Sequence, residues 1–399
     1  MVNSLGLTEQ QPENNVYRIL IEMLAVTLSK KARARAVQLP AWNEALGLPR
    51  AFDQQWSLRM QQILAYETDL LEFGDLFDGS REMAAKVEEL KNTAREELSR
   101  IEAMGGVVAA VETGVMKKAL VGSNAERLVR IERGEQVVVG VNRWTETEDS
   151  PLTAGDGAIL TVSDNVETEA KASLRQWRAA RDGNAAARAL ASLDAAARSG
   201  ANIMEPSIAC AKAGVTTGEW GEALRGVFGQ YRAPTGVTIE ARASGEEMER
   251  LRALVAALEA KLGAPVTFLV GKPGLDGHSN GAEQIAVRAL DAGMSVIYDG
   301  IRQTPDEIVA KAKAEKPHVI GLSILSGGHV PLVRAVMNRL RREGLEIPVV
   351  VGGIIPPDDE NVLKNIGVAA VYTPKDFQVN DILADVAGIV EKRISGRAA

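Results

Sequence analysis

"VTFLVGKPGLDGHSNG", residues 266–281, joins a short β-rich run to a loop crowded with glycine and proline, and the loop carries one of three histidines in the chain. The pattern recurs downstream. "MSVIYDG" (294–300), "HVIGLSIL" (318–325), "IPVVVGG" (347–353) and "VAAVYTP" (368–374) are further short apolar runs. Amphipathic segments separate them, with helices expected to begin near Gly281, Pro305, Val330, Asp358 and Asn380. Asp306 with Glu307, and Asp358 with Asp359 and Glu360, put acid where two of these helices should start, as the helix dipole favours. Five β-rich runs, each followed by a helix, describe an α/β fold: a doubly wound parallel sheet with helices on both faces. Ligands of such sheets bind beyond the carboxyl ends of the strands. The loop "KPGLDGHSNG" (272–281) sits on that edge, directly after the first strand.

Within this loop, Asp276 is close enough in sequence to accept a hydrogen bond from His278, the second partner that a metal-bound imidazole typically has. Lys272, four residues before Asp276, can hold that carboxylate ionised. Gly274, Gly277 and Gly281 remove side-chain bulk, so a large flat ligand could approach the backbone. No second histidine or cysteine lies nearby, which argues against a zinc site of four protein ligands. The loop is neither a Walker A motif nor a GxGxxG turn. A single histidine suits a metal whose other positions come from a macrocycle. Two glycine pairs share the same edge: "GLSILSGG" brings Ser323, Leu325 and Ser326 before Gly327 and Gly328, and "VVVGGIIPP" brings Gly352 and Gly353. Together they predict a deep slot lined by small residues.

"DGHSNG" resembles the D-x-H-x-x-G signature of cobalamin-binding domains, and "SILSGG" and "VVVGG" are similar to that family's S-x-L and G-G elements, in the expected order. The resemblance implies a flavodoxin-like sheet in which His278 replaces the cofactor's own base as lower axial ligand to cobalt. It further implies that Asp276 bonds that histidine with Lys272 behind it, and that Gly281 belongs to the signature. The displaced nucleotide tail would enter the slot, with Ser323 bonding it and Leu325, Gly352 and Gly353 lining it. Tyr372 and Thr373, at the end of the fifth strand, are further candidates.

Upstream, "NEALGLP", "AMGGVVAAVETGVMKKAL", "ERLVRIERGEQVVVGVNRW" and "GEWGEALRGVFGQYRAPTGV" resemble the stretch between barrel and cobalamin domain in acyl-CoA mutases of the methylmalonyl-CoA mutase family. "FDQQWSLRMQQILAYETDLLE" is similar in particular to its ethylmalonyl-CoA mutases. The resemblance implies adenosylcobalamin as cofactor, an acyl-CoA substrate, and a radical exchange of a hydrogen with a carbonyl-CoA group on neighbouring carbons. It also places Glu44 near the adenosyl group, against the plainer expectation of a surface or helix-cap carboxylate. The family's active site lies in a (β/α)₈ barrel of about 250 residues. This chain offers residues 1–150 as a partial barrel region, a helical connector over 151–263 and a cobalamin domain over 264–399. The expectation is therefore an N-terminally truncated mutase, its catalytic residues unidentified. A separate N-terminal barrel chain or a second copy would be its partner. The alternative is a cobalamin-binding subunit or carrier that acts with another catalytic chain.

The remaining signals are general. A net charge of −7 argues against a nucleic-acid backbone binder. One cysteine, Cys210, excludes an internal disulfide framework and fits a reducing cytosol, with a small buried hydrophobe the expected role. The first residues lack a basic start and an apolar core of secretory type, and the apolar run 19–28 contains Glu22 and is too short to span a bilayer. A cytoplasmic protein is expected. In the first 150 residues, helices are expected over "VYRILIEMLAVTLS" and over 80–104, the latter with Met83, Val87, Leu90, Ala94, Leu98 and Ile101 on one stripe. "AVQL" (36–39) and "VVVGVN" (137–142) are the strand candidates. In the connector, "LRQWRAARDG" and "AARALASLDAAARSG" read as helices closed by glycine, and "RAPTGV" marks a boundary before a helix over 245–262.

Overall fold

A computed structural model of the chain describes residues 6–148, 150, 152, 160, 163, 165–238, 245–325, 328–373, 376 and 378–397. By internal contacts the chain forms two compact units, one of residues 1–161 with 233–399 and one of residues 162–232. The boundary expected at 151 falls on residues outside those described, as do Ser326, Gly327 and Pro374.

The first unit begins with helices: α1 (Asn14–Leu28), α2 (Ala51–Tyr66), α3 (Arg81–Ala103), α4 (Val107–Glu112) and α5 (Val115–Glu132). Among the described residues before 267 there is no strand. "AVQL" is coil: among the described residues it pairs with no strand, so it has no ladder to join. In "VVVGVN" the chain turns instead. Gly140 takes a φ of 81°, and the Asn142 side chain accepts from the Val138 N–H and donates to the carbonyls of Ile131 and Gln136. Those local bonds replace the ladder bonds a strand would need. Helix α3 forms where its sequence pattern predicts, capped by Ser80 and laced by the pairs Lys86–Glu89, Lys91–Glu88 and Arg100–Glu97. Its apolar stripe, however, is uncovered among the described residues: Met83, Val87, Leu90 and Leu98 are all exposed.

The second unit holds α6 (Asn165–Ala180), α7 (Gly183–Ser199), α8 (Met204–Lys212) and α9 (Thr217–Phe228). Its small core joins Leu193 and Ala189 to the buried Cys210. Asp182 caps α7, and Gly200 ends it in the left-handed conformation that glycine adopts without steric cost.

The first unit resumes with α10 (Glu246–Leu262) and then alternates: β1 (Thr267–Gly271), α11 (Asn280–Asp291), β2 (Ser295–Tyr298), α12 (Pro305–Glu315), β3 (Val319–Ile324), α13 (His329–Arg342), β4 (Val349–Gly353), α14 (Pro357–Ile366), β5 (Ala370–Tyr372) and α15 (Val379–Arg397). The strands pair in parallel in the order β2-β1-β3-β4-β5, the flavodoxin-like arrangement. Successive strand residues face opposite sides. Phe268, Val270, Val319 and Val350 meet α10, α11 and α15 in one core. Leu269, Ile320, Leu322, Val349 and Val351 meet α12, α13 and α14 in the other. Both faces are thus covered, as a parallel sheet requires. The order reverses between β1 and β3, and the loop after β1 opens at that switch point.

Candidate functional site

The loop after β1 is pinned at its base. Gln303, in the loop after β2, accepts from the Lys272 N–H through its side chain at 2.8 Å, donates its own N–H to the Lys272 carbonyl, and accepts from the Gly274 N–H. With the backbone so held, the Lys272 side chain lies fully buried and donates to Asp276 Oδ2 at 2.8 Å, with a weaker bond of 3.4 Å to the Ser323 carbonyl. Asp276 Oδ2 also accepts from the Leu325 N–H at 3.2 Å, which ties the loop to the end of β3. Asp276 Oδ1 takes the His278 N–H at 3.0 Å and the ring Nδ1 at 2.6 Å. Burial alone would raise the Asp276 carboxyl, but Lys272, then the His278 N–H and ring, outweigh it and hold the group well below the usual carboxylate range.

An ionised carboxylate can only accept, so Nδ1 of His278 carries the proton of that bond. Nε2 is then the nitrogen left to bind a ligand, and among the described residues it has no partner. The ring is 76 % exposed while the carboxylate beneath it is 5 % exposed. The structure therefore sets an outward-facing imidazole on a buried lysine–aspartate base. Among the described residues no group of three or more His, Cys, Asp or Glu side chains could hold a metal ion. Any metal here would depend on one protein nitrogen and on ligands brought from outside.

Beside the loop, a cavity of about 230 Å³ runs between the sheet and the helices α11 and α15. Its origin is visible in the strand register. Ser323 on β3 and Gly352 on β4 lie on the face where Phe268 and Val350 supply larger side chains, so small residues leave a trough, whereas the room beside Gly321 is taken by the Phe268 ring. Gly281, Ser323, Leu325, Gly352, Gly353, Tyr372 and Thr373 line it, together with Phe268, Val270, Ile382 and Val386. Of the two glycine pairs expected to shape the slot, Gly352 and Gly353 line this cavity, Gly328 does not, and Gly327 lies with Ser326 outside the described residues. A Cβ at Gly281 would come within 3.9 Å only of Ser323 Oγ, and one at Gly352 within 4.0 Å only of the Tyr372 carbonyl. A methyl at either glycine would make only ordinary van der Waals contact. Gly353 differs: at a φ of 154° its Cβ would lie 1.7 Å from the Ile324 carbonyl oxygen. Tyr372 donates its hydroxyl to Asp385 at 2.6 Å; burial, then that carboxylate, push its phenol up, so it stays a neutral wall of the slot.

Glu44 stands apart. It is exposed in the turn after Trp42 and Asn43 and does not line the cavity. That turn is nevertheless rigidly held, because Trp42 and Asn43 both donate to Asp53, a fully buried carboxylate that also binds Arg50. Gln303, Ile382 and Val386 carry no sequence signal for the site, since they come from the loop after β2 and from α15, far from the glycine-marked strand ends. The i,i+4 spacing of Ile382 and Val386 reads only as a helix face toward a core.

Residues 3–230 match the family model of methylmalonyl-CoA mutase, and residues 266–376 match that of the B12 binding domain. The ethylmalonyl-CoA mutase of Methylorubrum extorquens is 67% identical over 399 residues, covering 100% of this chain and 58% of that protein. That of Cereibacter sphaeroides is 64% identical over 391 residues, 98% of this chain and 60% of its own length. The methylmalonyl-CoA mutase of Escherichia coli K12 is 34% identical over 392 residues, 95% of this chain and 54% of that protein. The chain thus spans less than two thirds of the length of these curated relatives.

Proposed function

The chain belongs to the methylmalonyl-CoA mutase family and carries its B12 binding domain, and from that premise we propose that it works in the adenosylcobalamin-dependent rearrangement of an acyl-CoA of the ethylmalonyl-CoA or methylmalonyl-CoA type. The observation that carries this reading is the Lys272–Asp276–His278 relay, in a loop tied through Leu325 to the wall of the slot. The donor set fits a corrinoid, because a macrocycle needs one axial nitrogen from the protein and an apolar slot for the tail it displaces. His278 would ligate cobalt through Nε2, Asp276 would fix the ring's tautomer and raise its basicity, and Lys272 would keep Asp276 charged. Ser323, Leu325, Gly281, Gly352, Gly353, Tyr372 and Thr373 would take the nucleotide tail. When bound, the cofactor supplies the radical chemistry by which a hydrogen and the carbonyl-CoA group change places.

Residues 1–150 would serve as part of the acyl-CoA barrel, 151–263 as connector and 264–399 as the cofactor domain. Glu44 would face the adenosyl group, its turn held by the Asp53 network. A separate barrel chain or a second copy would complete the assembly. No described helix is long and apolar enough to cross a membrane, and a cytoplasmic setting suits the single buried Cys210.

Titration of the purified chain with adenosylcobalamin, followed by visible absorption, tests the reading. A saturable shift that His278→Ala abolishes while the fold persists is expected; an unchanged spectrum and affinity in that variant would defeat the assignment. Isomerisation of ethylmalonyl-CoA and methylmalonyl-CoA, followed by chromatography, tests the activity. Binding without turnover, with turnover restored by a barrel fragment, would instead support a cobalamin-binding subunit.

A further inference from the structure

We propose that Lys117, on α5, is a positioning residue for the axial histidine, holding the far end of the His278 loop. The proposal rests on the reading of His278 as the cobalt ligand. One end of the loop is secured by Lys272, Asp276 and Gln303. The other end runs straight into α11 through Ser279, which occupies the N-cap position yet makes no side-chain cap bond. Its hydroxyl is turned instead to Lys117, whose Nζ donates to Ser279 Oγ at 3.0 Å. The same ammonium pairs with Glu283 Oε1 at 2.7 Å. The Glu283 side chain is 3% exposed, and removing its cation would leave a buried carboxylate without its ion-pair partner. Glu283 also donates its N–H to the Ser279 carbonyl, so lysine, serine and glutamate close a ring around the first turn of α11.

The lysine is itself held in place. Gly236 packs against its backbone so closely that a Cβ there would lie 2.8 Å from the Lys117 carbonyl carbon. Further along α5, Leu128 packs on the core beneath α11, while Glu132, about four helical turns from Lys117, makes a separate ion pair with Arg288. His278 needs such a tether because its ring is largely exposed and, among the described residues, is bonded only to Asp276. The direction of Nε2 then follows the backbone of 276–279, which Lys117 fixes from the other side. Lys117 lies in the stretch matched by the mutase model and His278 in that matched by the B12 binding domain. The contact thus lets one part of the chain set the cofactor ligand of the other.

The experiment compares the full chain with Lys117→Met, Lys117→Arg and Glu132→Gln, each titrated with adenosylcobalamin by visible absorption, alongside His278→Ala. Axial nitrogen ligation is read separately from the cob(II)alamin electron paramagnetic spectrum of ¹⁵N-histidine-labelled protein, and thermal unfolding monitors the fold. Lys117→Met should weaken the His278-dependent shift by roughly tenfold, the low end for loss of an outer partner at a metal site. Its histidine splitting should be reduced, and Lys117→Arg should recover most of both. Glu132→Gln, which cuts the separate Glu132–Arg288 ion pair between α5 and α11, should leave both readouts alone. Wild-type ligation in Lys117→Met would overturn the proposal while leaving the cobalamin reading intact. An equal loss in Glu132→Gln would overturn it too, because general helix packing would then explain the effect. Absence of a His278-dependent shift in the unsubstituted chain would remove the reading on which the proposal stands.

Discussion

Asp276 accepts from four donors with two oxygens: the Lys272 ammonium, the His278 ring, the His278 N–H and the Leu325 N–H. Replacing it with alanine strands a fully buried ammonium whose other bond is a 3.4 Å contact to a carbonyl. Breaking such a pair costs about 3–5 kcal/mol, so Asp276→Ala should lower the urea midpoint sharply as well as abolish the cobalamin shift. A loss below about 1 kcal/mol would mean that Lys272 finds water or another acceptor. The two glycines at the end of β4 predict opposite behaviour. Gly353→Ala forces a Cβ into the Ile324 carbonyl at 1.7 Å, at a backbone conformation side chains rarely adopt, and the variant should not accumulate as folded protein. Gly352→Ala meets nothing closer than 4.0 Å and should fold with stability changed by about 1 kcal/mol or less. Its methyl narrows the slot wall, so its measured defect should be weaker cobalamin binding.

At the scale of elements, α9 shows what a good start is worth. Thr216 accepts from the Glu219 N–H, and Glu219 in turn accepts from the Thr216 N–H and from both terminal nitrogens of Arg181. Thr216→Ala should cost about 1 kcal/mol of local stability, read by amide exchange in α9. Arg181 first, then the Thr216 N–H, hold the Glu219 carboxyl well below the usual glutamate range. A lowered folded-state value stabilises the fold above the unfolded value of about 4.3 and loses that contribution as pH falls below it. The protection of α9 amides, taken relative to their intrinsic exchange rates, should therefore fall on acidification below that point, and Glu219→Gln should flatten the dependence. Helix α3 teaches the converse lesson. Its caps, ion pairs and 3.6-residue stripe were legible and the helix is there, but periodicity says only which face is apolar. It cannot say what covers that face, and among the described residues most of it stays exposed, with only Ile101 half-buried.

Across the whole molecule, legibility followed the range of the interactions involved. Alternation of apolar runs with amphipathic segments is local, and it located all five strands and placed the helix starts at 280, 305, 329, 357 and 379 to within a residue or so of expectation. The loop relay was legible because Lys272, Asp276 and His278 sit within seven positions of one another. Gln303, Ile382 and Lys117 were not, since each reaches the site across the fold from a segment whose own pattern is ordinary. The same logic sets a prediction for stability across the chain. The central strands β1, β3 and β4 are buried on both faces, so amides of Leu269, Ile320 and Val350 should exchange slowest, near the global unfolding limit. Faster exchange there than in α7 would place the stable core in the 162–232 unit instead.

The buried Lys272–Asp276 pair also constrains how this sequence can drift. A mutation at either position alone leaves the other's buried charge without its opposite charge at 2.8 Å, whereas losing both removes the conflict together with the support for His278. In a randomised library sorted for solubility, the two positions should therefore be recovered as a linked couple, either both charged or both apolar. Sorting the same library for corrinoid capture should keep only the charged couple, so genotype statistics alone would separate what the pair does for folding from what it does for the imidazole.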